Sequence, residues 1–193
     1  YRLISGKRTR EIMIEIISNG SFDTGKLREI TAVKSIYQTD GRSRRLIYGS
    51  PLIYEKIGRF TFQISPDTPK EISVADQPKY DRIKKLANVK IGDEVLVLNC
   101  GVGIIPIYLS TLAKKVTGID PLPTAIRDAN DNIRINKIRN IEFVCADPNY
   151  ITLRKYYNFI LIVGSEELPK KLIKKNNSIK FKRIVYVNES RSY

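Results

Sequence analysis

EVLVLNCGVGIIPIYLSTLAKKVTGID, residues 94–120, decides the fold of this chain. Glu94–Leu98 is a short apolar run of strand length, followed at once by the turn Cys100-Gly101-Val102-Gly103. Ile104–Ala113 suits a helix, and Lys115–Ile119 a second strand ending at Asp120. A strand, a glycine turn, a helix and a strand at this spacing require parallel pairing with a right-handed crossover. The rhythm continues downstream. Pro123–Asn136 has helical spacing, with Ala125, Ile126, Ala129 and Ile133 on one face. Ile141–Cys145 is a third strand running toward Asp147, Phe159–Val163 a fourth and Arg183–Val187 a fifth. The expected fold class is α/β, with a Rossmann-like parallel sheet that is complete or truncated.

Upstream the pattern differs. Glu11–Ile17 reads as a strand closed by the turn residues Ser18-Asn19-Gly20, and Thr24–Val33 as a short helix with Ser21 or Asp23 near its start. Val33–Gln38, Arg45–Tyr48 and Arg59–Ile64 read as further strands. Pro66 and Pro69 break the pattern, and Pro78 leads into a helix at about Tyr80–Ala87. The predicted organisation is a small α/β domain over residues 1–75 and a Rossmann-like domain over residues 76–193. The chain opens on Tyr1 without a Met or an apolar signal segment, so it reads as a processed product or as part of something longer.

A doubly wound sheet binds ligands beyond the carboxyl ends of its strands, near the point where strand order reverses. Gly101 and Gly103 follow the first strand and let backbone approach a ligand without Cβ obstruction. Asp120 ends the second strand, placed to accept hydrogen bonds from ribose hydroxyls. Asp147 follows the third, placed to meet an adenine amino group. Each alone is as readily a turn or a surface acid; the ordered set is the signal. The chain has no His and two Cys, Cys100 and Cys145, outside any C-x-x-C pair, so a metal site or His-dependent catalysis is not expected. Free thiols suit an intracellular reducing compartment, cytoplasmic or mitochondrial. No run of eighteen apolar residues occurs, so no membrane partner is expected.

Residues 94–120, together with AIRDANDNIRINKIRNIEFVCAD from Ala125 to Asp147, resemble the cofactor segment of bacterial and archaeal RNA uracil-5-methyltransferases. IYEKIGRFTFQISP, ending at Pro66, and RIVYV at Arg183–Val187 are similar to two further strands of that family. The resemblance implies a class I methyltransferase domain preceded by a small α/β domain, with S-adenosylmethionine as cofactor and tRNA or rRNA as substrate. It also implies a Cys directly after the last of these strands, which attacks carbon 6 of uracil. A thiolate suits that role because it is a soft nucleophile and a good leaving group.

The chain departs from the pattern where that chemistry would occur. The loop reads Asn188-Glu189-Ser190-Arg191, with Glu189 at the Cys position. The fourth strand runs into Val163-Gly164-Ser165-Glu166 where the family has Asp-Pro-Pro-Arg. The family's Gln loop is replaced by Pro69-Lys70-Glu71-Ile72-Ser73, and the acid within the first strand by Val97. Cys100 lies in the cofactor loop, and Cys145 reads as a small buried hydrophobe. The sequence therefore predicts no catalytic residue, and Val97 counts against cofactor binding as well.

The formal charge is +14, which favours a polyanionic partner. Lys170, Lys171, Lys174, Lys175, Lys180, Lys182 and Arg183 form one basic cluster, Arg42, Arg44 and Arg45 a second, and Lys7, Arg8 and Arg10 a third. Such clusters meet phosphates without reading sequence; each alone is as readily a solvated face. Tyr156 and Tyr157 are candidate base-stacking residues, with core packing the alternative for at least one. The resulting expectation is a catalytically inactive methyltransferase-like protein that binds structured RNA within a ribosomal or other ribonucleoprotein particle. The alternative is an active S-adenosylmethionine-dependent RNA methyltransferase.

Overall fold

A computed structural model describes residues 1–68, 77–151, 156–164 and 181–187. The chain divides into two compact units, Tyr1–Asp76 and Gln77–Tyr193.

The first unit holds a four-stranded sheet in the order β1-β2-β3-β4. Its strands are β1 (Arg2–Ser5), β2 (Ile12–Ile17), β3 (Val33–Thr39) and β4 (Arg44–Gly49). β2 and β3 pair in parallel, and the outer pairs are antiparallel. A hairpin of β5 (Ile53–Ile57) and β6 (Phe60–Ile64) follows. Sequence patterning places a strand at Arg59–Ile64 but not at β1, whose four residues are too few to show alternation.

The helix expected over Thr24–Val33 shrinks to α1, Gly25–Arg28. The run Ile30-Thr31-Ala32-Val33 carries β-branched side chains that suit a strand better than a helix. The backbone turns there through Ile30 N–H to the Leu27 carbonyl, and Val33 N–H bonds to the Ile30 carbonyl. Two buried carboxylates tie this unit together. Glu15 accepts from Arg44 Nε at 2.6 Å, and Glu55 accepts from the backbone N–H of Lys7, Arg8 and Lys56.

The second unit starts with α2 (Gln77–Ala87) and continues as β7 (Glu94–Leu98), α3 (Ile104–Ser110), β8 (Lys115–Asp120), α4 (Pro123–Ile135), β9 (Ile141–Cys145), β10 (Tyr157–Val163) and β11 (Phe181–Val187). The five strands are all parallel, in the order β11-β10-β7-β8-β9. The chain winds outward from β7 to β9, then returns to the other side of β7 as β10. That reversal puts the switch point between β7 and β10. This is the α/β arrangement with a parallel five-stranded sheet typical of class I methyltransferases.

α3 ends three residues earlier than its apolar pattern suggests. The hydroxyls of Ser110 and Thr111 bond back to the carbonyls of Ile107 and Tyr108, closing the last turn.

Sheet register explains where α3 and α4 can sit. Val185, Leu161, Val97, Gly118 and Phe143 form one cross-strand row on a single face. Gly118 leaves a gap in this row, and the Phe143 ring fills it: a Cβ on Gly118 would lie 2.6 Å from two ring carbons and 3.0 Å from Cys100 Sγ. The same ring lies 2.7 Å from where a Cβ on Gly103 would stand, at the start of α3. Gly118→Ala is therefore expected to destabilise the unit by about 1–3 kcal/mol through overpacking. Adding Phe143→Leu should recover part of that loss in urea denaturation. Equal stability of Gly118→Ala and the parent would show that the ring yields freely.

Candidate functional site

The loop between β7 and α3 is built on left-handed backbone. Asn99, Gly101 and Gly103 have φ of 54°, 53° and 86°. Gly relieves the steric cost of this region, and Asn tolerates it better than most residues. Asn99 also spans the switch point, since its Nδ2 donates to the Val163 carbonyl at 2.8 Å. Asn99 carries one signal in the sequence, its place immediately before Cys100-Gly101-Val102-Gly103. Gly164 follows β10 with φ of 111°, and its N–H bonds to the Val187 carbonyl.

The two sequence-predicted glycines differ in role. A Cβ on Gly101 would meet no protein atom within 4 Å, so this position faces open space. Gly103 is needed inside, where Phe143 and Ala129 leave no room for a side chain.

Asp120 is buried at the end of β8. Its Oδ2 accepts from Gly101 N–H and its Oδ1 from Leu122 N–H, both at 2.9 Å. One carboxylate thus fixes the loop after β7 and the turn after β8. A carboxylate offers about four acceptor positions, so this pairing leaves capacity for a hydroxyl pair.

Asp147 is exposed beyond β9, and its Oδ1 accepts from the backbone and side-chain N–H groups of Asn149. Exposed apolar side chains lie on the same strand ends: Leu122 after β8, and Val144 and Tyr150 at and beyond the end of β9. Open backbone at Gly101, acids after two strands and exposed apolar side chains at the same strand ends are the kinds of group that would hold a nucleoside, part apolar and part hydroxylated.

Asn132 on α4 is a further positioning residue. It is fully buried, and its Nδ2 donates to the Val102 carbonyl at 3.0 Å. Val97, in contrast, belongs to the sheet core and is fully buried beside Gly118.

The thiols differ from each other and from expectation. Cys145, read as a buried hydrophobe, is exposed, because β9 is an edge strand whose last residues pair with β8 on one side and have no strand on the other. Cys100 is buried, and desolvation, followed by the nearby Asp120 charge, pushes its thiol well above the usual range.

The predicted RNA-binding residues also divide. Arg42, Arg45 and Lys182 are exposed. Arg44 pairs with Glu15 and Asp67. The Arg183 guanidinium lies 4.9 Å from the Phe159 ring centroid and donates to the Ala87 carbonyl, so it is engaged within its own unit. Tyr157 is buried in the core and Tyr156 is exposed. Lys170, Lys171, Lys174, Lys175, Lys180 and Glu189 lie outside the described residues. Among the described residues no helix is long and apolar enough to cross a membrane.

Comparison with known proteins agrees with this architecture. The family model for ribosomal protein L11 methyltransferase matches residues 81–163. An uncharacterized RNA methyltransferase of Oceanobacillus iheyensis is 36% identical over 155 residues, which is 72% of this chain and 34% of that protein. One from Bacillus cereus is 31% identical over 95% of this chain and 45% of its own length. Among solved structures, the Pyrococcus abyssi tRNA (uracil-54, C5)-methyltransferase in complex with S-adenosyl-L-homocysteine matches with a TM-score of 0.75 at 21% identity. The match covers 97% of this chain and 49% of that one. The fold is that of class I methyltransferases. By sequence the chain is similar to proteins named as RNA methyltransferases, and it spans between a third and a half of the length of those two curated relatives.

Two outcomes follow from the site geometry. Asn132→Ala leaves the Val102 carbonyl unpaired and should cost about 1–3 kcal/mol in denaturant melts. Native protein should expose one thiol to a disulfide reagent, that of Cys145. Cys100 should react only after unfolding; rapid native labelling of both would contradict the burial described.

Proposed function

We propose that this chain forms the S-adenosylmethionine-binding part of an RNA methyltransferase acting on tRNA or rRNA. The observation that carries this reading is the set of strand-end groups: open Gly101, the Asp120 carboxylate that fixes the loop beside it, and exposed Asp147 on the next strand. In this reading Asp120 receives the ribose hydroxyls, Asp147 meets the adenine amino group, and Leu122 packs against the base. When bound, S-adenosylmethionine supplies a methyl group on an electrophilic sulfonium. The chain's own part is to hold that group still near the β7–β10 switch point and to bring RNA to it.

The methyl-accepting chemistry is the weaker half of the resemblance. Neither thiol of this chain suits attack on uracil. Cys100 is buried and held protonated, and Cys145 stands on β9, three strand spacings or about 14 Å from β10. A second reading, a non-catalytic RNA-bound component of a ribonucleoprotein particle, is favoured by one observation, Glu189 at the position where the family resemblance calls for Cys. The curated relatives carry the names of methyltransferases, which favours the catalytic reading.

Calorimetry with S-adenosylhomocysteine should show one saturable site. Asp147→Ala, at an exposed position beyond β9, should weaken binding about ten-fold. Transfer of labelled methyl from S-adenosylmethionine to tRNA or rRNA by the full-length protein then separates the readings. Incorporation supports the enzyme, and cofactor binding without incorporation supports the non-catalytic one. Absence of S-adenosylhomocysteine binding would defeat the cofactor assignment.

A further inference from the structure

Outside the strand-end site, the first unit carries an open cleft of about 510 Å3, formed wholly by residues between Glu11 and Tyr54. Binding sites for small organic groups commonly have roughly 300–1,000 Å3, so a nucleotide fits in this volume. Two cations, Arg28 and Lys34, face a single acid, Glu11. Glu11 is partly committed, because its Oε2 accepts the Tyr54 N–H at 2.8 Å.

Arg28 is held in place. Its guanidinium carbon lies 5.2 Å from the Tyr48 ring centroid, and its Nε donates to Thr24 Oγ1 at 2.7 Å. A guanidinium held over an aromatic ring and by a hydrogen bond at Nε offers its remaining N–H donors at little further entropic cost.

Tyr54 supplies a second flat surface. It is 37% exposed, although it sits in a hairpin strand with backbone bonded on both sides: its N–H to Glu11 and its carbonyl to the Thr9 hydroxyl. The exposed side chain of Ile30 lines the same cleft. Gly49 keeps the floor closed, since a Cβ there would lie 2.1 Å from the Lys34 carbonyl oxygen.

Exposed rings on rigid backbone with cations beside them are what unpaired bases and their phosphates require. We propose that this cleft is a single-stranded RNA subsite in which one unpaired base stacks on Tyr54 while Arg28 and Lys34 hold the adjoining phosphates. The assignment rests on the RNA reading above and adds a place and a strandedness to it. The strand is bound through ring faces and backbone charge, so base identity matters little.

The test uses the full chain and a fluorescein-labelled single-stranded oligouridylate, followed by anisotropy at several salt concentrations. Tyr54→Ala should weaken binding about ten-fold, whereas Tyr54→Phe should keep parental affinity because the ring face remains. Lys34→Ala should lower the magnitude of the salt slope by about 0.7, one phosphate contact on a single strand. Thermal melts of each variant establish that it is folded, and Lys34, exposed on the surface, gives a variant that folds even if the strand position does not tolerate change. Ultraviolet cross-links should map to the peptide bearing Tyr54. Parental affinity in both Tyr54→Ala and Lys34→Ala, with cross-links elsewhere, overturns the cleft assignment and leaves the RNA reading standing. Displacement of the RNA by polyglutamate as readily as by unlabelled oligouridylate also overturns it, because the cleft would then be a plain anion site. No RNA binding at low salt defeats both.

Discussion

The carboxylate of Asp120 is the point on which the turns at the carboxyl ends of β7 and β8 depend. It accepts two backbone N–H groups from two separate turns, Gly101 after β7 and Leu122 after β8. Charge-assisted bonds of this kind are among the stronger ones available to a protein, and they act here where water is largely excluded. Removing the acid would orphan both donors at once and release the loop that Asn99 anchors on its other side to Val163. The same negative charge adds to burial in keeping the Cys100 thiol protonated, so a structural role for Asp120 and the silence of that thiol share a cause.

A steric constraint complements this electrostatic one. Phe143 from the edge strand reaches under the loop, and only glycine at 103 and 118 gives its ring a seat. Asn132 holds the loop from the α4 side through Val102. The loop is thus defined from three directions before any ligand is considered, which is the preorganisation a nucleoside site needs. Gly101 stands apart from its neighbours because its lack of a side chain satisfies no internal contact.

The parallel sheet was legible in residues 94–147 because buried strands of five residues, glycine turns and amphipathic helices each leave a distinct period. β7 and β9 have the bounds that their apolar runs suggest. What periodicity could not convey was partnership. Cys145 looked buried because its strand is apolar, yet an edge strand covers its last residues on one side only. Arg44 and Arg183 counted as surface charge, but the fold brings Glu15 and Phe159 against them from 29 and 24 positions away in sequence, read from the numbering. Asn99 and Asn132 were silent because their meaning lies in long-range bonds to Val163 and Val102. β1 escaped because four residues show no period, and its pairing with β2 comes from register alone.

We propose a nucleoside site in one unit and a basic, aromatic cleft in the other, both serving RNA methyl transfer, with the cofactor engaging the loop held by Asp120. Amide spectra of isotopically labelled protein, recorded while S-adenosylhomocysteine is added, address this directly. Saturable shifts are expected at Gly101, Leu122 and the turn beyond Asp147, with β1–β6 unmoved. Shifts confined to β1–β6, or none at saturating ligand, would contradict that engagement.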